Sequence, residues 1–338
     1  MAAETKCFPQ SYQLRNVKSS RNLVAEGGFA FVRKGKWHGR TICLKLRKST
    51  DTSIIGDREQ EQIDKVEKIF VKEFVMWAHF SHPNILPLYG IVHVKEEPTS
   101  ISPWLENGNI RQYIQAHPEE PRLPFILDTL CGLVYLHDLG VVHGDIKGEN
   151  ILISSDRRAV LTDFGLSKVA TATLAGFTQP GDSFSGRWTS PEMLSKSADD
   201  TKAIRPTIQG DIWSVGCLIY EILSRRLPYF QYALVIQVMN AVQRQEIPIQ
   251  PRGTKTEDKI DDEIWRLLLL CWNFSPMDRP TCRAVLNSFR KLDPNYQEAT
   301  ATAEMQIAAE RRLKTRIHLD FDRVQNFLND VPALLKVP

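Results

Sequence analysis

The chain has 338 residues, enough for a two-part globular fold with a substantial core plus short extensions. Its 43 basic and 40 acidic side chains leave a formal net charge of +3, which gives no electrostatic footprint for nucleic acid or an anionic membrane. No apolar run approaches the roughly 20 residues of a membrane span, and the opening Met1-Ala2-Ala3-Glu4-Thr5-Lys6 lacks the charged-then-apolar order of a secretory leader.

Residues 1–16 are polar without a clear period and read as a loose arm. Val24 to Val32 carries Gly27-Gly28 at a turn, and Phe31 to Lys36 and Thr41 to Leu46 read as strands joined at Trp37-His38-Gly39-Arg40. Period-two alternation sends Val32, Cys43 and Lys45 toward a shared face. Ile63, Val66, Phe70, Phe74 and Trp77 recur at helical spacing, which predicts an amphipathic helix from about Glu61 to Phe80. Glu73 falls on or beside the buried face of that helix, where an isolated charge is costly, so a cationic partner is expected. Ile101 to Gly108 reads as a strand running into a linker, with Pro103 tolerable at an edge. Beyond it the chain turns helical. Phe125 to His137 should be a buried helix ending near Gly140, and Asp211 to Leu223, apolar nearly all round, a core helix. Leu313, Ile317, Phe321, Val324 and Leu328 form an i, i+4, i+8, i+11, i+15 stripe, expected to pack on the preceding helical part or, failing that, on a partner. The Arg311-Arg312 pair beside it reads as a solvated face.

The most specific signal is His143-Gly144-Asp145-Ile146-Lys147-Gly148-Glu149-Asn150, followed by Asp163-Phe164-Gly165. A His-x-Asp triplet alone most often marks a surface turn; the joint spacing of two carboxylates, an amine and an amide is what phosphoryl transfer needs. That chemistry demands positioning and charge neutralisation rather than covalent work by the protein. Asp145 would accept the proton of a substrate hydroxyl, Lys147 would steady the transferring group, and Asn150 with Asp163 would hold metal ions.

These residues resemble the signature set of the eukaryotic protein kinases, and other stretches match in order from about residue 17 to 292. Ile42-Cys43-Leu44-Lys45 resembles the family's Val-Ala-x-Lys strand, Ser81-His82-Pro83-Asn84-Ile85 its helix-to-strand connection, Ser190-Pro191-Glu192 the end of its activation segment, and Cys271-Trp272 through Arg279-Pro280 its final motif. The resemblance implies an α+β bilobal fold, with a mainly-β N-lobe of about 17–104 bearing one helix, a mainly-α C-lobe of about 105–292, an N-terminal arm of 1–16 and a helical extension of 293–338. It implies ATP and Mg²⁺ as cofactors. Lys45 would grip the phosphates and pair with Glu73; Ala25, Glu26, Gly27, Gly28, Val32, Cys43, Ser102, Leu105 and Leu152 would line the nucleotide site; Arg279 would pair with Glu192. The Cys271-Trp272 ending and Arg187-Trp188 are most similar to the tyrosine-kinase-like group. Lys147, two residues after the base, and Ser185 follow the serine/threonine pattern, so protein serine and threonine hydroxyls are the expected acceptors.

Several positions depart from the pattern. Ala25 and Ala30 stand at two of the three glycines of the phosphate loop, Cys43 at the alanine against adenine, and Gly144 where many kinases have arginine. Gly144 removes the guanidinium that would order a phosphorylated segment, so transfer is expected not to depend on phosphorylation of Thr171, Thr173, Thr178 or Ser183 through that route. The same departures motivate a second reading, a nucleotide-binding pseudokinase acting as a scaffold. A small-molecule kinase is disfavoured by Ser190-Pro191-Glu192 and Arg279. The six cysteines, at 7, 43, 131, 217, 271 and 282, show no metal-ligand spacing; those at 43, 131, 217 and 271 read as core residues. A reducing setting, cytoplasmic or else nuclear, is the expectation.

Overall fold

The computed structural model describes residues 12–26, 30–47, 71, 74–94, 97–164, 186–194, 206–251 and 260–315. The chain divides into a sheet unit, residues up to Trp104 together with those from Thr300 onward, and a helical unit, Leu105–Gly165 with Phe184–Ala299.

Five antiparallel strands form the sheet unit: β1 (Lys18–Glu26), β2 (Ala30–Trp37), β3 (Arg40–Arg47), β4 (Gly90–Val94) and β5 (Glu97–Pro103), in the order β1-β2-β3-β5-β4. The β2–β3 turn falls at the expected residues. His38 and Gly39 both take positive φ, 45° and 78°, as a two-residue turn matched to strand twist requires. Alternation then sorts the faces. Ile42, Leu44 and Ile101 are fully buried on one face with Leu14, Trp37 and Tyr89. Gly35 belongs to that face, and a Cβ there would lie 2.6 Å from both Leu44 Cδ1 and the Lys18 carbonyl oxygen. On the other face Ala25, Val32, Lys45 and Ser100 are successive cross-strand partners, with Lys34, Cys43 and Ser102 in the neighbouring row.

The expected helix is described at Val71 and over residues 74–79, here α1; its earlier residues, Glu73 among them, lie outside the described residues. Phe74, Met76 and Ala78 are buried, and Trp77 donates through Nε1 to the Leu86 carbonyl at 2.6 Å. The arm expected over 1–16 is tied down where it is described. Tyr12 and Leu14 are buried, the Tyr12 ring stands edge-on to Phe74 at 5.6 Å, and Leu14 donates its N–H to Ile91. Gly90, at φ +155°, lets this segment pass, because a Cβ would sit 2.3 Å from the Tyr12 carbonyl oxygen.

The extension departs from expectation as well. Its helix α9 (Ala303–Thr315) packs on the sheet unit, not the helical unit. Ile307 meets the Leu14–Trp37 cluster, Glu304 pairs with Arg40 at 3.5 Å, and the Arg311 guanidinium lies 5.5 Å from the Trp37 ring centre. Arg311 and Arg312 are thus half-buried contacts rather than a solvated face, since an indole face and a helix-end carbonyl receive them. Leu313 is 79% exposed, and Ile317, Phe321, Val324 and Leu328 lie outside the described residues.

The helical unit contains α2 (Ile110–Ala116), α3 (Leu123–Asp138), the hairpin β6 (Ile151–Ile153) and β7 (Ala159–Leu161), α4 (Pro191–Leu194), α5 (Ile208–Ser224), α6 (Val235–Gln243), α7 (Asp262–Cys271) and α8 (Cys282–Leu292). α5 is the core helix foreseen. Thr207 caps it by accepting the Gly210 N–H at 2.9 Å, and Trp213, Cys217, Tyr220 and Ile222 are fully buried. Asp128, fully buried on α3, is compensated by Arg158 through two hydrogen bonds, by the Ala159 N–H and by the Tyr296 hydroxyl. Cys131, Cys217 and Cys271 are core residues as expected; Cys282 joins them, whereas Cys43 is only half-buried. Among the described residues no helix is long and apolar enough to cross a membrane.

Candidate active site

The loop His143–Asn150 is built around one carboxylate. Asp211, in the first turn of α5 where the helix dipole favours an anion, is 2% exposed. It accepts the backbone N–H groups of His143 and Gly144, both at 2.8 Å, and faces His137 Nε2 at 2.9 Å. Gly144 turns at φ +74°. The His143 ring is fully buried edge-on to Phe164, and its Nδ1 accepts the Asp145 N–H at 3.2 Å. Burial holds this imidazole below its ordinary pKa, although Asp211, Asp145 and Asp163 pull the other way.

Asp145 is 7% exposed. Asn150 Nδ2 donates to its carboxylate at 2.8 Å and to its carbonyl at 2.7 Å, while Lys147 Nζ lies 3.5 Å from the same carboxylate and 3.4 Å from Glu149. The loop's far side rests on a second buried carboxylate, Glu221 of α5. It accepts the Gly148 N–H at 3.1 Å, the Trp188 indole N–H at 3.0 Å and Arg111 Nε at 2.5 Å. Burial pushes the Glu221 carboxyl up in pKa, and Arg111 and these donors oppose it.

Asp163 follows from the β6–β7 hairpin. Thr162 donates its N–H to the Asn150 carbonyl at 3.0 Å, which sets the next residue beside Asn150, and Asp163 adopts φ 58°, rare for a residue with a side chain. The donor set fits Mg²⁺, a hard cation that takes one or two protein oxygens and keeps waters and phosphate oxygens. With its nitrogen committed to Asp145, Asn150 has its amide oxygen left to offer, and the Asp163 carboxylate would be the second oxygen ligand.

The remaining candidates divide between the units. Ala25, Val32, Cys43, Lys45 and Ser102 share one face of the sheet, so the register brings them together. Leu152 lies half-buried on β6; Leu105 is half-buried and its carbonyl accepts the Gly108 N–H at 3.4 Å. Glu26 ends β1, while Gly27, Gly28, Glu73 and Ser185 lie outside the described residues. Arg279, its side chain fully buried, donates two hydrogen bonds of 2.7 and 2.8 Å to Glu192 and stacks on Trp213. Burial works to raise the Glu192 carboxyl, and Arg279 outweighs it, leaving the group below its usual range. Sequence reasoning missed the anchoring roles of Asp211, His137 and Glu221. A glutamate inside an otherwise apolar helix was the available signal for the last, because a buried charge demands donors.

A family model, protein tyrosine and serine/threonine kinase, matches residues 18–289. Among curated relatives, tyrosine-protein kinase csk-1 of Caenorhabditis elegans is 29% identical over 277 residues, covering 78% of this chain and 45% of that protein. Serine/threonine/tyrosine-protein kinase HT1 of Arabidopsis thaliana is 26% identical over 285 residues, 82% of this chain and 67% of that protein. Mitogen-activated protein kinase kinase kinase 5 of the same plant is 27% identical over 303 residues, 87% of this chain and 40% of that protein. The chain thus spans less than half of csk-1 and of the kinase kinase kinase. With the match running across both the strand that bears Lys45 and the loop that bears Asp145, the chain belongs to the protein tyrosine and serine/threonine kinase family.

Proposed function

We propose that the protein is an ATP-dependent protein kinase that transfers the γ-phosphoryl group of MgATP to serine and threonine hydroxyls of protein substrates, in a signalling role. The observation that supports this reading most is the held carboxylate of Asp145. Asn150 fixes its orientation, and Lys147 stands beside it where the transferring group would carry charge.

In this reading Asp145 orients the incoming hydroxyl and takes its proton, and Lys147 lowers the cost of negative charge on the phosphoryl oxygens. Lys45, on the face shared with Val32 and Ser102, holds the α- and β-phosphates. Asn150 and Asp163 would hold Mg²⁺, which neutralises phosphate charge as the bond to the leaving oxygen breaks. Lys147 supports serine and threonine as acceptors, through the loop pattern it shares with kinases of that class.

Purified protein, labelled ATP, Mg²⁺ and a generic protein substrate test the reading, beside an Asp163→Ala control. Phosphoserine or phosphothreonine from the parent and none from the control is the expected result. Phosphotyrosine alone would overturn the acceptor class. No transfer despite nucleotide-induced thermal stabilisation would replace the enzyme with the scaffold that Ala25, Ala30, Cys43 and Gly144 motivate.

A further inference from the structure

Two stretches outside the matched segment of residues 18–289 converge on one helix end. From before it, Tyr12 donates its hydroxyl to the Ala78 carbonyl at 3.5 Å, with its ring against Phe74. From after it, Arg312 donates through a terminal guanidinium nitrogen to the His79 carbonyl at 2.9 Å. Ala78 and His79 close α1, and the carbonyls of a last helical turn have no partner in the helix itself. A cation at that end is also favoured by the helix dipole.

The two stretches hold each other as well. Arg311 donates to the Gln13 carbonyl at 3.4 Å, and Ile307 packs on the cluster that contains Leu14. Met305 and Ala308 of α9 face Phe80 and Pro87, in the connection that leaves α1, across a shallow cleft.

We propose that the segment around Tyr12 and the helix α9 form one clamp on the C-terminal turn of α1, and that Tyr12 and Arg312 are positioning residues for phosphoryl transfer. The catalytic consequence rests on the kinase reading, in which this helix carries Glu73 toward Lys45. A helix held at its last turn by both flanking stretches keeps its register against β4; released, it frays from that turn, and on the kinase reading the pairing expected with Lys45 weakens. Transfer by this chain therefore depends on residues that lie beyond the family's stretch.

The test compares the parent chain of 338 residues with Tyr12→Phe, Arg312→Gln, the double variant and Arg312→Lys. Hydrogen exchange is read at the amides of residues 76–82, with those of α5 as control, and kcat is measured on a protein substrate. Expected in the double variant are exchange about tenfold faster at the end of α1, unchanged α5, and kcat about tenfold lower, the equilibrium weight of one charged hydrogen bond. Arg312→Lys, which can still donate to the carbonyl, should recover part of both. Parental exchange at α1 in the double variant overturns the clamp, and parental kcat with accelerated exchange overturns the positioning role. A parent that transfers no phosphate would sink the kinase reading, with the exchange comparison still deciding the clamp. Should the double variant not fold, each single variant is judged by the same two readouts.

Discussion

Asp145 is held by two hydrogen bonds from one amide, so its role can be tested without disturbing its neighbours much. Asp145→Asn keeps the shape and removes the proton acceptor. We expect transfer to fall by about 10²- to 10⁴-fold, with the nucleotide-induced shift in melting temperature retained; a variant that transfers at more than a tenth of the parental rate would exclude Asp145 as the base. Gly148 offers a second test. A Cβ there would meet Glu221 Oε1 at 2.6 Å, and Glu221 is also bonded to Arg111 and Trp188. Gly148→Ala should cost about 1–3 kcal/mol, the usual scale of overpacking, measured by denaturant midpoint at constant m-value. The roles of Asp145, Lys147 and Asn150 could be read from their spacing because the chemistry needs those types close together in the chain. The anchors Asp211 and Glu221 could not, since each meets the loop across more than 60 residues.

At the level of elements, the sheet was the most legible part. Alternation alone sorted Ile42 and Leu44 from Cys43 and Lys45, and the His38-Gly39 turn fixed the register. That register places Cys43 in the row beside Lys45, half-buried, while burial pushes the thiol of Cys271 up to about 12 and that of Cys217 higher still. In a Cys7→Ser background a maleimide should therefore modify Cys43 first, and MgATP should slow that reaction. Equal labelling with and without nucleotide would remove Cys43 from the nucleotide face. The arm and the extension were less legible. Tyr12 and Arg312 act through contacts 66 and 233 residues away, and nothing in their local pattern names a helix-end carbonyl as the partner. The Glu192–Arg279 pair joins α4 to the end of the helical unit with Arg279 fully enclosed. Arg279→Met leaves Glu192 without its main donor and should cost about 3–5 kcal/mol, read as a lower midpoint in urea.

For the whole molecule, acid is the revealing perturbation, because its buried groups respond with opposite signs. His143 is enclosed and its pKa lies below the ordinary 6.5. Under pH 6.5 the unfolded chain binds a proton there that the folded chain refuses, so stability is lost as pH falls toward the folded value. Glu192, depressed by Arg279, acts in the same direction but lower, from its ordinary 4.5 downward. Glu221 and Asp128, both raised by burial, work against this: the folded chain takes up their protons more readily than the unfolded one, so acid gains stability through them above 4.5 and 3.8. In thermal unfolding between pH 8 and 5 the His143 contribution should decline from near 6.5 downward, with a slope of up to about 1.4 kcal/mol per pH unit from one proton. Subtracting the profile of His143→Gln cancels the other histidines and both carboxylates, and isolates that proton. A difference profile flat from pH 7 to 5 would mean that His143 titrates equally in the folded and unfolded chain, and that the packing of its ring under Phe164 does not exclude the charged form.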